Sequence, residues 1–318
     1  MKPSPFDYHA PAGLDEALDV LARVGPDGGK VLAGGQSLIP LLNMRLAAPA
    51  HLVDINRVAC LDTIEAGPEG VRVGALARHA AVERSRPAAA VQPLLGQALR
   101  LVAHPVIRNR GTVVGSLVHA DPSAEMPAVL ALLGGSVRLA HRGGEREVAA
   151  SEFFTGPMES AAAPGELAVS AFFPALPPWS GTAFHEVARR HGDYAMAGVA
   201  AVVTLDEDLR VAAARVACIS VGPVPMVVDV TAACGGRPVA PAGRTVPGRS
   251  GPDWDGAAAA VRDLIEPEDD IHATADYRRH LTGVLAVRAL RDAAEGVAAE
   301  GVAAEGAAAA WAAGEGER

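Results

Sequence analysis

The sequence predicts an α+β fold in more than one domain, and three observations carry that expectation. Its 318 residues, 50% of them hydrophobic, can bury two cores more readily than one. Near the N-terminus a short apolar strand over residues 30–33 runs through Gly34-Gly35 into a stretch where Leu38, Leu41, Leu42 and Leu46 recur at helical spacing. Further on, Pro174-Ala175-Leu176-Pro177-Pro178 sets three prolines in five residues, which can continue neither a central strand nor a helix and so marks a boundary. The expected division is a first domain over 1–177, with lobes of about 1–60 and 61–177, a smaller second domain over 178–292, and a low-complexity tail over 293–318.

Taken in order, Asp15 and Glu16 open an apolar periodic stretch that suits a first helix over 15–22, because early acids complement the helix dipole. The glycines between Gly25 and Gly29 end it. Strand 30–33 and helix 38–46 follow, and residues 51–55 alternate as a second strand. Gly34 and Gly35 can take positive φ and bare their N–H groups, and a helix N-terminus just beyond them favours an anion. A pyrophosphate would sit well there, although a ligand-free strand-to-helix turn would use the same residues. A second lobe begins near Leu61, with a strand over 71–75 and one buried, alanine-rich helix over 88–101.

Residues 105–127 form the next informative stretch. A β-branched run pinched by Gly111 and Gly115 reads as a strand broken by a close backbone approach, and Asp121-Pro122 as a turn into a helix over 126–133. Thr112, Ser116 and backbone N–H groups offer neutral hydrogen bonds suited to a ribityl chain or a phosphate. Val114, being β-branched, is expected in the β region with its side chain turned away from any ligand, leaving the close approach to Gly115. His119, Asp121 and Glu125 are metal-ligand types, but the turn and the helix start account for Asp121 and Glu125 equally well, and no metal is expected.

The remainder reads as a hairpin of 136–139 with 146–148, a strand over 166–173, a turn over 220–226, a Pro/Gly-rich loop over 239–252, and amphipathic helices over 255–264 and 275–293. After them comes a five-residue repeat, Glu295-Gly296-Val297-Ala298-Ala299-Glu300-Gly301, whose period matches neither 3.6 nor 3.5. Each glycine costs about 1 kcal/mol against alanine in a helix, so a frayed tail without a docked face is expected.

Composition narrows the function classes. A net charge of −9 gives no general basic face for nucleic acid or anionic lipid. Cys60, Cys218 and Cys234 are far apart, so this chain's cysteines alone cannot build an iron–sulfur or zinc site. No apolar run approaches the roughly 20 residues needed to span a bilayer, no secretory leader opens the chain, and a cytoplasmic location is expected.

Two stretches together resemble a known family. Ala33-Gly34-Gly35-Gln36-Ser37-Leu38 and Thr112-Val113-Val114-Gly115 are similar to A-G-G-H-S-L and T-I-G-G, the two FAD motifs of the medium subunits of the molybdenum hydroxylases, the carbon monoxide dehydrogenase and xanthine dehydrogenase family. Gln36 replaces the histidine and Val114 the first glycine of the second motif. The continuation Ser116 to Glu125, the segment 184–203 and the segment 270–281 also resemble the family, so the likeness runs from about Phe6 to Leu290. It implies a two-lobed FAD-binding domain of the vanillyl-alcohol-oxidase/PCMH type, followed by a smaller C-terminal α+β flavoprotein domain. It further implies one non-covalent FAD, held by Val31, Leu32 and the residues from Ala33 to Leu38, and by Thr112, Val114, Gly115 and Ser116.

By the same resemblance, Asp121 and Glu125 lie near the ribityl and phosphate groups, Tyr194 over the isoalloxazine with Arg189 close by, and Leu167 also at the cofactor. His185 falls where some relatives carry a flavin-contacting lysine. No side chain is expected to be catalytic, since the flavin itself takes up and passes on electrons. The implied partners are a small subunit with 2Fe–2S clusters that feeds the flavin and a large molybdopterin subunit that hydroxylates the substrate, assembled as a dimer of heterotrimers. Two alternatives stand beside this: a stand-alone FAD-dependent oxidoreductase of the wider superfamily, and an assembly subunit without flavin, which Val114 keeps open.

Overall fold

The computed structural model describes residues 2–240 and 251–315, with side chains to residue 299; most of the loop expected over 239–252 lies outside the described residues. The chain divides into two compact units. The first comprises Met1–Ala175, Ala188–Tyr194 and Pro223–Pro225, and the second Leu176–Val187, Ala195–Gly222 and the described residues from Met226 onward. Among the described residues, no helix is long and apolar enough to cross a membrane. The fold is α+β, with mixed helices and strands in both units.

The first unit opens with β1 (Asp7–His9), α1 (Leu14–Val24), β2 (Lys30–Leu32), α2 (Leu38–Met44) and β3 (His51–Asp54). The three strands form a parallel sheet with β3 in the middle. Ala17, Leu18, Leu21 and Val24 are the buried stripe of α1, at the i, i+1, i+4, i+7 spacing of one helix face.

A second, antiparallel sheet of order β4-β5-β10-β6-β7 follows. Its first strands are β4 (Ile64–Gly67) and β5 (Gly70–Gly74), and a helical block then intervenes: α3 (His79–Arg84), α4 (Arg86–Val91), α5 (Pro93–Leu99), α6 (Pro105–Arg108), α7 (Val113–His119) and α8 (Glu125–Leu133). The chain returns through β6 (Ser136–His141), β7 (Gly144–Ala149), α9 (Ala150–Phe153), the small pair β8 (Phe154–Gly156) and β9 (Glu159–Ser160), and β10 (Leu167–Pro174). Leu94, Leu95, Leu99, Leu130, Phe153 and Phe173 are among its fully buried side chains.

Two expectations for this unit are corrected. The single helix over 88–101 is two, because Pro93 has no N–H and turns the residue before it out of the helical region. Gln92 sits at φ −140, ψ 82, and its side chain accepts from the Leu94 N–H and donates to the Pro174 carbonyl at 2.7 Å. The β-branched run around 105–118 is helical rather than strand. Thr112 caps α7, its Oγ1 accepting from the Gly115 N–H at 3.1 Å, and Val113, Val114 and Leu117 are buried. Capping and burial outweigh β propensity here. Val114 therefore lies in the helix, not in the β region.

The second unit is a four-stranded antiparallel sheet of β11 (Ser180–Ala188), β12 (Ala195–Leu205), β13 (Val211–Ile219) and β14 (Met226–Asp229), in that order. The short α10 (Thr231–Cys234), α11 (Trp254–Leu264) and the long α12 (Ala275–Glu315) complete it. Strand residues such as Val199, Val203 and Val216 share one core with Trp254, Val261, Leu285 and Leu290. Contrary to the expectation of a frayed tail, α12 runs through the repeat, and Ala293, Ala294, Val297 and Ala298 belong to that core. The repeat's first copy supplies two of the four, and 293, 294, 297 and 298 lie on one helix face.

Candidate cofactor site

β2 and β3 are parallel neighbours with Leu32 opposite Asp54, so both segments leave the sheet at the same carboxyl edge. Ligands of open α/β sheets bind at that edge. From β2 comes the loop Ala33-Gly34-Gly35-Gln36, in which Gly35 has φ +74, and from β3 come Asp54 and Asn56. The end of α6 brings Ile107 and Arg110. These residues, with Leu32, Ile39 and Pro40, line a cavity of about 360 Å³.

Hydrogen bonds tie the three segments. Asn56 Nδ2 donates to the Ala33 carbonyl at 2.8 Å and to Asp54 Oδ1 at 2.6 Å. Arg78 donates from Nη2 to Asn56 Oδ1 at 2.6 Å and from Nη1 to the Arg110 carbonyl at 2.7 Å. Tyr8 OH donates to Asp54 Oδ2 at 2.5 Å. Burial would raise the Asp54 carboxyl, but the bonds from Tyr8 and Asn56 together bring it below the usual range. Arg110 lines the cavity without an ion pair among the described residues, and its charge also helps hold the Asp54 carboxyl down.

Bare backbone is what lets the loops meet. A Cβ on Gly34 would lie 2.5 Å from the Arg110 carbonyl oxygen and 2.8 Å from Gly111 Cα. Behind Gly111 sits His79, 5% exposed, whose N–H donates to the Gly111 carbonyl at 2.9 Å. Burial pushes its imidazole down to about 4, so the ring is neutral at pH 7.

A second group of expected residues gathers elsewhere in the first unit. Asp121 Oδ1 accepts the Ser123 N–H at 2.8 Å. Glu125 begins α8 and is part-buried, and burial pushes its carboxyl up to about 7. Tyr194 is 69% exposed, and desolvation of the hydroxyl, followed by the charges of Asp121 and Glu125, raises its phenol.

Of the expected site residues, Leu32, Ala33, Gly34, Gly35 and Gln36 line the cavity, whereas Val31, Ser37 and Leu38 adjoin it in the chain without lining it. Thr112, Val114, Gly115 and Ser116 are the cap and first turn of α7 and do not line it. Leu167 is buried at the start of β10, and Arg189 is exposed. His185 lies in the second unit, 2.7 Å from Asp292 Oδ2 on α12. Ile39, Pro40, Asp54, Asn56, Ile107 and Arg110 line the cavity without having been expected there. Asp54-Ile55-Asn56 at the end of a strand parallel to β2 was the available signal, because such a strand delivers its next residues beside the glycine loop.

The likeness to known proteins extends over most of the chain. The family described as FAD binding domain in molybdopterin dehydrogenase matches residues 4–176, and CO dehydrogenase flavoprotein C-terminal domain matches residues 182–293. The chain is 40% identical over 301 residues to the 6-hydroxypseudooxynicotine dehydrogenase complex subunit alpha of Paenarthrobacter nicotinovorans, covering 92% of this chain and 96% of that one. It is 33% identical over 295 residues to the carbon monoxide dehydrogenase medium chain of Afipia carboxidovorans, covering 92% and 98%. Among solved structures, a carbon monoxide dehydrogenase from Hydrogenophaga pseudoflava that lacks the Mo-pyranopterin moiety of its cofactor aligns with TM-score 0.84 at 34% identity, over 93% of this chain and 99% of that one. Quinoline 2-oxidoreductase from Pseudomonas putida 86 aligns with TM-score 0.83 at 35% identity, over 94% and 100%. Glycine loop, parallel-sheet edge and full-length likeness together make this chain a member of the family of FAD-binding medium subunits of the molybdenum hydroxylases.

Proposed function

We propose that the chain holds one FAD non-covalently, with the cofactor's pyrophosphate against Gly34–Leu38, and works as the electron-transfer subunit of a molybdenum-containing dehydrogenase. One observation carries the placement: the loop after β2 presents bare backbone at Gly34 and Gly35 beside a cavity that Arg110 also lines. These residues suit a dinucleotide, since backbone N–H groups and a cation can face phosphate while Leu32, Ile39 and Pro40 offer apolar walls. Thr112 to Ser116, Asp121, Glu125, Leu167, Arg189 and Tyr194 complete the proposed contacts, and His185, paired with Asp292 in the second unit, is not among them. The flavin supplies the one- and two-electron chemistry, and the protein positions it and keeps it from water.

The proposed partners are an iron–sulfur subunit that delivers electrons and a molybdopterin subunit that hydroxylates the substrate, assembled as a dimer of heterotrimers in the cytoplasm. The relatives' names as complex subunits and medium chains support the division of labour, and three free thiols suit a reducing compartment. The proposed division is one domain over 1–177 and a second that begins at 178 and keeps the start of the repeat, because Ala293, Ala294, Val297 and Ala298 pack in its core. Purified chain should be yellow and release free FAD on denaturation. Cofactor that stays with the precipitate would overturn non-covalent binding, and a colourless chain that takes up no added FAD would favour the flavin-less assembly subunit. Co-purification with a small and a large subunit distinguishes this reading from a stand-alone oxidoreductase.

A further inference from the structure

We infer that Arg78 is a positioning residue, a clasp that holds the loop after β2 and the segment before α7 at the spacing FAD binding needs. The inference rests on the cofactor reading above. Three segments meet at the cavity, and sheet pairing aligns only two of them, those leaving β2 and β3. The third, ending at Arg110, shares no strand pairing with either.

Arg78 joins it to them. Its backbone runs beside residues 111–113: Arg78 bridges to Thr112, the His79 N–H donates to the Gly111 carbonyl at 2.9 Å, and the Val113 N–H to the Ala77 carbonyl at 3.2 Å. From that anchored position the guanidinium reaches the Arg110 carbonyl with one nitrogen and Asn56 Oδ1 with the other. Asn56 is thereby oriented so that its Nδ2 holds the Ala33 carbonyl, next to Gly34. The planar fork sets two acceptors at a fixed spacing, which an ammonium on a flexible stem cannot do. Burial first, and then the neighbouring Arg110 charge, lower the Arg78 guanidinium, so an anion in the cavity would relieve repulsion as well as meet two aligned loops.

The test uses full-length apoprotein, Arg78→Lys, Asn56→Ala and the double variant. FAD dissociation is measured by flavin fluorescence, melting temperature without FAD, and amide hydrogen exchange of residues 33–36 and 110–113. Arg78→Lys is expected to weaken FAD binding at least ~10-fold, about 1.4 kcal/mol, while the apoprotein melts within about 2 °C of wild type. Exchange should rise in both loops together. The double variant should be no weaker than the worse single by more than about threefold, since both changes open one clasp. Unchanged exchange in either loop overturns the inference, as do unchanged FAD affinity or additive losses. If Arg78→Lys fails to fold, Asn56→Ala alone decides by the same exchange criterion. If wild-type protein binds no FAD, the cofactor reading falls, whereas exchange still decides the clasp.

Discussion

Gly34→Ala is the smallest perturbation that separates a working cofactor loop from a simple turn. The added Cβ would meet the Arg110 carbonyl oxygen at 2.5 Å, Gly111 Cα at 2.8 Å and the Arg110 carbonyl carbon at 3.1 Å. All three are backbone atoms, so no rotamer change relieves the clash. They are also pinned: the Arg110 carbonyl accepts from Arg78 at 2.7 Å, the Gly111 N–H donates to Ile107 at 2.8 Å, and the Gly111 carbonyl accepts from His79 at 2.9 Å. Overpacking of this kind costs about 1–3 kcal/mol, and in a unit of this size each kcal/mol lowers the melting temperature by roughly 2–4 °C. Moving the loops apart also opens the cavity, so FAD affinity should fall more than ~10-fold, about 1.4 kcal/mol. Thermal melts of the apoprotein and a flavin fluorescence titration check both effects. Gly28→Ala is the control, because Gly28 has φ +79 with nothing within 4 Å of a Cβ and tests left-handed strain alone. Wild-type affinity and melting in Gly34→Ala, or equal FAD losses in both variants, would refute the packing argument.

Gly115→Val should lower the melting temperature and loosen α7, because its Cβ would meet Thr112 Oγ1 at 2.5 Å and displace the cap, a loss of about 1 kcal/mol. Thr112→Ala should reproduce most of it, and a full-strength effect of Gly115→Val on a Thr112→Ala background would rule the cap out. Val114→Gly should destabilise the protein without tightening FAD binding, since Val114 is 2% exposed and lines none of the cavity; a large gain in affinity would show that it obstructs the site. Truncation after Asp292 removes buried Ala293, Ala294, Val297 and Ala298 and should destabilise the second unit by about 2 kcal/mol or more, read by thermal melting; an unchanged melt would contradict the docking of α12. Glu125 has a folded pKa of about 7 against 4.5, so the folded apoprotein binds more protons between these values and loses stability as pH rises through them. Glu125→Gln should therefore melt progressively higher than wild type from pH 5 to pH 8, and a gap that does not widen would place the carboxylate in solvent.

Residues 105–118 show how a local signal misleads. Val106, Ile107, Val113 and Val114 have strand composition, and nothing nearby in sequence says that Thr112 will cap a helix or that Val114 will be buried. The tail shows the reverse error, in which an unfavourable repeat is carried by a helix already docked at Leu285 and Leu290. Gln92 broke an expected helix for a reason that Pro93 already announced.

The glycine pair after an apolar strand, the Thr112–Gly115 motif, the proline boundary and the family likeness were all legible in the chain, because each depends on residues within a few positions of one another. The polar frame around the cavity was not. Tyr8 meets Asp54 across 46 residues, Arg78 meets Asn56 across 22 and Arg110 across 32, and Asn56 meets Ala33 across 23. Each of these side chains alone reads as a solvated surface group or a strand end. Only the parallel pairing of β2 with β3, and the return of the chain past Arg110, turns them into one site, since hydrogen bonds are short-ranged and their partners are chosen by the fold.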